Sequence, residues 1–215
     1  MCYQKADYHG FCKNCAADFD SLITSVNVCP ICAAISPLAQ TCGNCMKQTP
    51  KIDELWSSYN YTNPLKYILH QYKYNGMMQF SHNIKYLMLK NPPKFRESIN
   101  FDEIIAMPLS RERLFEHGFH HCLELAKIAS SYYQIPILPL DTITREHRKP
   151  QAGLDKKSRQ SNLKNAFSIQ YDVSAKNFLI VDDVKTTGTT LNELASTLKK
   201  HNANKIYAWT LAHTV

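Results

Sequence analysis

The chain has 215 residues, 44% of them hydrophobic and 20% charged, which is enough for one full α/β domain and a small module beside it. A formal net charge of +7 points to an anionic partner, either nucleic acid or phosphorylated metabolites. No apolar run reaches the roughly 18 residues of a transmembrane helix, and the opening MCYQKADYHG has no signal-peptide apolar region, so the expectation is a cytoplasmic protein without membrane insertion.

In a reducing compartment, closely spaced cysteines mean metal rather than disulfides. Three such pairs come first: Cys12 with Cys15, Cys29 with Cys32, and Cys42 with Cys45. A two-residue gap lets both thiolates of a pair reach one Zn²⁺, and two pairs complete a tetrahedron. Cys29, Cys32, Cys42 and Cys45 therefore form the expected structural zinc site, with Gly43 permitting a turn. Cys12 and Cys15 need two further ligands for a second site, and Cys2 and His9 are the nearby choices. Residues 46–56 carry Pro50 and no periodicity, so the expected division is a cysteine module over 1–50 and an α/β domain over 51–215.

A helix is predicted from Asn63 and Pro64, with Asn63 as cap and Leu65, Ile68, Leu69 and Tyr72 on one face, closing at Lys73-Tyr74-Asn75-Gly76. A second runs over 81–90 with Ile84, Leu87 and Met88 inward, stopped by Pro92-Pro93. Glu103 to Met107 reads as a strand. The arginines that follow it, Arg111 and Arg113, stand where the carboxyl end of a parallel strand faces a ligand crevice. A third helix is predicted over 120–133, with Leu123, Leu125, Ala126 and Ile128 buried and Cys122 in the core. Residues 144–164 carry seven basic residues against two acidic ones. That charge suits a flap over a phosphate, a nucleic-acid track or a solvated run alike.

Phe178-Leu179-Ile180-Val181 is a strand buried on both faces, and Asp182 and Asp183 end it at the ligand-binding edge. Lys185-Thr186-Thr187-Gly188-Thr189-Thr190 then enters a helix bearing Leu191, Leu194, Ala195 and Leu198. Unsatisfied N–H groups, the helix dipole and rotating hydroxyls make this a phosphate cradle. It lacks the Gly-x4-Gly-Lys-Ser/Thr spacing of a nucleotide P-loop, which argues against a kinase. A carboxylate pair suited to a vicinal diol, a few Å from a monophosphate cradle, describes ribose 5-phosphate. Lys205 to Leu211 alternates into a last strand.

The strand, the two acids and Thr-Thr-Gly-x-Thr resemble the type I phosphoribosyltransferases, whose ligand is phosphoribosyl pyrophosphate (PRPP) with Mg²⁺. Lys185 departs from that pattern, standing where an aliphatic residue is usual. CGNCMKQTP, SYNYTNPLKYILHQYKYNG and the later motifs further resemble the ComF/GntX family, a zinc module fused to a phosphoribosyltransferase-like domain. The resemblance implies a mostly parallel sheet with flanking helices and a basic hood. It implies that PRPP meets Asp182, Asp183, Val184, Lys185, Thr186, Thr187, Gly188, Thr189 and Thr190, with the aspartates catalytic in any transfer. It also implies a pyrophosphate loop at Leu109, Ser110 and Arg111, with strained backbone at Leu109-Ser110. Arg113, Lys73, and the hood residues Lys156, Lys157 and Arg159 become candidate phosphate or DNA contacts; Arg145 and Phe167 match the hood's ends. Cys2 would be the second cysteine of a pair whose first lies upstream of Met1. His117-Gly118-Phe119-His120-His121 replaces the family's Arg-Gly-Phe-Asn-Gln and removes an expected cation.

Two functions follow. One is PRPP binding within the cytosolic handling of incoming single-stranded DNA in natural transformation, alongside other competence proteins. The other is an active phosphoribosyltransferase of nucleotide metabolism whose acceptor the residues do not name.

Overall fold

The computed structural model describes residues 4–6, 10–93, 95, 99–146 and 166–214. Four parallel strands form its sheet, in the order β1 (Glu54–Asn60), β6 (Ile206–His213), β5 (Phe178–Lys185) and β2 (Glu103–Ala106). Strands buried on both faces need apolar residues on both phases of the two-residue period, and β5 provides them. Leu179 and Val181 pack with Tyr59, Ile68, Leu87, Leu125 and Trp209. Phe178 and Ile180 pack with Ile105, Leu194, Leu198 and Ala208. The first cluster takes its helical residues from α3 (Leu65–Tyr74), α4 (Ser81–Lys90) and α6 (His121–Tyr133), and the second largely from α7 (Thr189–Lys200), which gives helix, sheet and helix layers. An antiparallel pair, β3 (Ile143–Arg145) and β4 (Phe167–Ile169), stands apart and leads to the basic stretch. The stretch itself, with Lys156, Lys157 and Arg159, lies outside the described residues, as do Cys2 and His9.

The predicted helices α3, α4, α6 and α7 and strands β2, β5 and β6 are present, with several corrections. Helix α3 begins one residue late, with Pro64 and not Asn63 at the cap position. The connector ends at Asp53, because Glu54 to Asn60 is the edge strand β1. Strand β5 runs through both aspartates to Lys185. Beyond Val181 it loses β2 but keeps β6, where Asp182 pairs with Thr210 and Lys185 with His213. The acids thus sit on a ladder and still face the crevice past the end of β2. A short helix, α5 (Arg111–His117), was not foreseen; Ser110 caps it in an ordinary extended conformation, φ −68° and ψ 157°. Leu109-Ser110 is neither cis nor left-handed, so the expected strain is absent there.

The cysteine-rich segment is tied to these layers. Phe11 and Phe19, flanking α1 (Lys13–Asp20) and within it, join the first cluster, and Ala33 joins the second. Leu22 O accepts from Asn60 N at 2.8 Å and Ser58 O from Thr24 N at 3.1 Å, so residues 22–24 lie along β1. No helix among the described residues is long and apolar enough to cross a membrane.

Candidate functional site

A cavity of about 330 Å³ opens at the carboxyl ends of β5 and β2, lined by Asp182 to Leu191 together with Lys73, Arg113, His117, His121 and Arg145. It is the crevice in which open α/β sheets bind ligands. One wall is the Thr loop. Gly188 takes a left-handed conformation, φ +75°, and is the N-cap of α7; Asn192 N donates to its carbonyl at 2.9 Å. Thr187 Oγ1 lies 2.8 Å from Thr189 Oγ1, so two hydroxyls face each other across the turn. No acid occupies the first turn of α7, so the dipole's positive end is left for an external anion.

The other wall is charged. Asp183 is buried and ion-pairs with Lys73 of α3. Burial pulls the Lys73 pKa down, while Cys122 and Asp182 act against that. Burial raises the pKa of Asp182, opposed by Lys73, Arg145 and Arg113. Each aspartate also has one oxygen fixed by the next residue: Asp183 N donates to Asp182 Oδ1 at 2.9 Å and Val184 N to Asp183 Oδ1 at 2.6 Å. Cys122, expected as plain core, donates from its thiol to Asp182 Oδ1 at 3.3 Å. Its own pKa is driven up by burial, so it is held as a neutral donor and not a nucleophile.

Lys73 is therefore in the site although a lone lysine on a helix end is usually solvated. Arg113 lines the same cavity, but Arg111 does not. Two residues on a helix are about 200° apart, and Arg111 turns to a neighbouring cavity of about 510 Å³ with Ile105, Leu138, Leu140 and Ile143. Ser110 is spent as the cap of α5, its Oγ accepting from Arg113 N at 3.4 Å. The cation lost from the His117 motif is supplied from elsewhere, by Lys73 and by Arg145, whose Nη1 donates to Pro108 O at 3.4 Å.

His117 and His121 were missed as lining residues. Burial lowers the pKa of both, and His117 Nδ1 lies 3.1 Å from Lys73 O, helping to place that lysine. His121 Nε2 stands 3.5 Å from Asp183 Oδ2, but burial and then the Lys73 charge push its pKa to about 2, so it is no ion pair. At the end of β6, burial followed by Lys185 pushes His213 to about 4. An unfolded imidazole titrates near 6.5. Stability from the neutral His213 is complete above that pH and is lost as pH falls toward 4, because the unfolded chain takes up a proton the folded one refuses; at 1.36 kcal/mol per unit the loss is about 3 kcal/mol. Urea unfolding should weaken between pH 6.5 and 4, and His213→Gln should flatten that slope. An equally steep acid limb in the variant would remove His213 from the account.

Beneath the Thr loop lies the four-cysteine cluster. The sulfurs of Cys29, Cys32, Cys42 and Cys45 are all within 4.8 Å of one another, and Cys32 Sγ to Cys42 Sγ is 3.6 Å. A tetrahedral Zn²⁺ with Zn–S bonds of about 2.3 Å requires edges of roughly 3.8 Å, so the donor set fits. Cys42 N donates to Cys29 Sγ at 3.3 Å, as thiolates at such sites require. The Cys45 N–H pulls Cys42 down to about 7, whereas burial raises Cys32 and Cys45. Cys12 is buried and Cys15 partly so, and the remaining ligand choices for a second site lie outside the described residues.

The sequence profile of the phosphoribosyl transferase domain matches residues 120–214, from α6 through the Thr loop to the end of β6. Competence protein F of Haemophilus influenzae is 30% identical over 211 residues, covering 95% of this chain and 90% of that protein. The DNA utilization protein YhgH of Salmonella typhimurium is 31% identical over 216 residues, covering 96% and 91%. Competence protein ComFC of Bacillus subtilis is 24% identical over 207 residues, covering 93% and 82%. With a crevice, a Thr loop and a cysteine cluster of this kind, and relatives matched over nearly their whole length, the chain belongs to the ComF family of the type I phosphoribosyltransferase superfamily.

Proposed function

We propose that the chain binds PRPP in this crevice and serves in the cytoplasmic handling of incoming single-stranded DNA. The observation that carries the reading is the convergence of an Asp pair, a left-handed Gly at a helix N-terminus and three cations, Lys73, Arg113 and Arg145, on one cavity. In this assignment Thr186 to Thr190 donate to the 5-phosphate, Asp182 and Asp183 accept from the ribose hydroxyls, and Lys73 and Arg113 meet the pyrophosphate. Lys73 then exchanges one anion, Asp183, for another, and the freed carboxylate takes up the ribose. Mg²⁺ suits the oxygen donors of the two aspartates and the diphosphate and would neutralise charge there. The two curated names, competence and DNA utilization, belong to the relatives and lend the DNA half of the reading its support.

Calorimetry with PRPP and Mg²⁺, then with single-stranded DNA already in the cell, tests both halves. We expect PRPP to bind, and Asp182→Asn with Asp183→Asn to abolish that binding while leaving DNA affinity level or higher. Changing Lys156, Lys157 and Arg159 to Ala should flatten the slope of log K against log[salt] for DNA binding by about 2 to 3. DNA binding that needs the aspartates and ignores the basic stretch would put nucleic acid in the crevice itself and overturn the division.

A second reading has its own support. The neighbouring cavity shares Leu109 and Arg145 with the crevice and has apolar walls, Ile105, Leu138, Leu140 and Ile143. A flat acceptor would suit such walls, as an active transferase requires. Release of pyrophosphate from PRPP in the presence of an acceptor would establish it, and its absence across nucleobases and amines would leave binding alone.

A further inference from the structure

Helix α3 buries Leu65, Ile68, Leu69 and Tyr72. At about 100° per residue, Tyr67, His70 and Tyr74 share an arc roughly 60° wide on the side opposite that face. A helix on a domain surface ordinarily carries charge there, yet Tyr67 is 48% and Tyr74 58% exposed, with His70 exposed between them. The rings form a connected row. His70 and Tyr74 have centroids 5.0 Å apart, Tyr74 and His117 of α5 have centroids 4.9 Å apart, and both Tyr74 and His117 line the crevice. Helix α5, which contacts α3, buries none of its residues and presents Phe115 at 85% exposure.

The charge beside the row has one sign. Between Glu54 and Glu97 the sequence contains no acid. Lys66 is exposed and stands one turn before His70, on the same ridge of the helix. Lys73 is held by Asp183. On α5, Arg111 and Arg113 offset Glu112 and Glu116, so the positive character comes from α3. Exposed rings beside a cation, with no carboxylate on their helix, suit a partner that carries flat apolar faces and phosphates together. A duplex hides its base faces in its own stack, whereas a single strand can splay them onto Tyr and His rings.

We propose that the solvent face of α3 is a stacking platform for single-stranded DNA, in which bases lie on Tyr67, His70 and Tyr74 and a phosphate meets Lys66. The platform rests on the DNA half of the proposed function and names the surface that takes the bases. The basic stretch over 144–164 does not supply one, because it contains no Phe, Tyr or Trp. Stacking is indifferent to sequence, since every base has a π-face, and that suits a protein meeting DNA of any sequence. The row ends at Tyr74 and His117, so a strand lying on it passes the crevice.

The test measures, by fluorescence anisotropy, the binding of two strands of about 12 nucleotides to the full-length protein. One is thymidine throughout and the other is abasic deoxyribose phosphate, so the two share their phosphates and differ in bases alone. Wild type should bind the thymidine strand on the order of 10-fold tighter or more. Tyr67 and His70 are exposed and neither lines the crevice, so changing both costs little stability. Tyr67→Ala with His70→Ala should lose most of the preference and keep its affinity for the abasic strand, whereas Tyr67→Phe with His70→Phe, which retains both ring faces, should preserve it. Lys66→Ala should weaken both strands alike and flatten the slope of log K against log[salt] by about 0.7. Equal binding of the two strands by wild type would overturn the stacking while leaving DNA binding in place. A preference that survives the alanine pair would overturn the platform and hand the ring row to a protein partner. Binding of neither strand by wild type would remove the DNA half of the proposed function, and the platform with it.

Discussion

Gly188→Val should abolish ribose-phosphate binding while the protein stays folded. Gly188 sits at φ +75°, ψ 2°, a region that costs an L-residue roughly 1–2 kcal/mol and a β-branched one more. The contact with Lys185 Cε at 3.3 Å adds little, because a flexible stem can give by a few tenths of an ångström. The damage is conformational. To relieve the strain the loop leaves the left-handed turn, and the N–H groups of Thr189 and Thr190 no longer converge with the hydroxyls of Thr187 and Thr189. Hydrogen bonds to a charged group contribute about 1.5–3 kcal/mol each, so losing two weakens binding on the order of 100-fold or more. Gly188→Asn is the control, because Asn tolerates the left-handed region, and it should keep most of the affinity. Calorimetry with ribose 5-phosphate and a thermal melt on all three proteins decides the matter. A folded Gly188→Val that binds like wild type would show that the Thr loop is not where the phosphate sits.

The loop was readable from the sequence because its chemistry is local: a strand, two acids, one glycine and four threonines stand in consecutive positions. The cysteine pairs were readable for the same reason. What escaped depends on partners distant in the chain. Strand β1 was missed because its first residues, Glu54 to Trp56, fall in the segment read as a connector and Ser57 and Ser58 interrupt its apolar pattern, yet both serines are fully buried. Ser58 Oγ donates to Asn91 O at 2.8 Å and accepts from Trp209 Nε1 at 2.9 Å. No reading of residues 54–60 alone could anticipate that satisfaction. Lys73 reads as a solvated helix end until α3 is laid beside β5 and Asp183 receives it. Arg111 and Arg113 are alike in sequence and part company once Ser110 starts a helix. The exchange of Arg for His117 looked like a lost cation only because Arg145 and Lys73 come to the crevice from other elements.

Cys42→Ser should remove the zinc and loosen residues 26–48 while residues 11–24 stay in place. The segments differ in what else holds them. Phe11 and Phe19 stack at 4.7 Å between centroids within the large cluster, and Leu22 and Thr24 are bonded to β1. Residues 26–48 make mostly internal contacts, such as the Val28–Ile35 bridge and Cys29 N to Ala34 O at 2.7 Å; Pro30 O accepting from Leu55 N and the burial of Ala33 tie them to the sheet. Val28 is buried as well, but Val26, Ile35, Leu38 and Met46 face solvent, all more than 60% exposed. A structural Zn²⁺ supplies apparent binding energy of about 10–16 kcal/mol in small modules, far more than those tethers. Hydrogen exchange on wild type and Cys42→Ser, with metal analysis of both, reads the outcome. Loss of one zinc with protection lost over 26–48 alone places the unit boundary near residue 25. Loss of protection over all of 10–50 with the sheet intact would instead make the first fifty residues one unit, as the connector around Pro50 suggests. Retained protection throughout, with the zinc gone, would mean that Ala33 and the Pro30 contact hold the segment without metal.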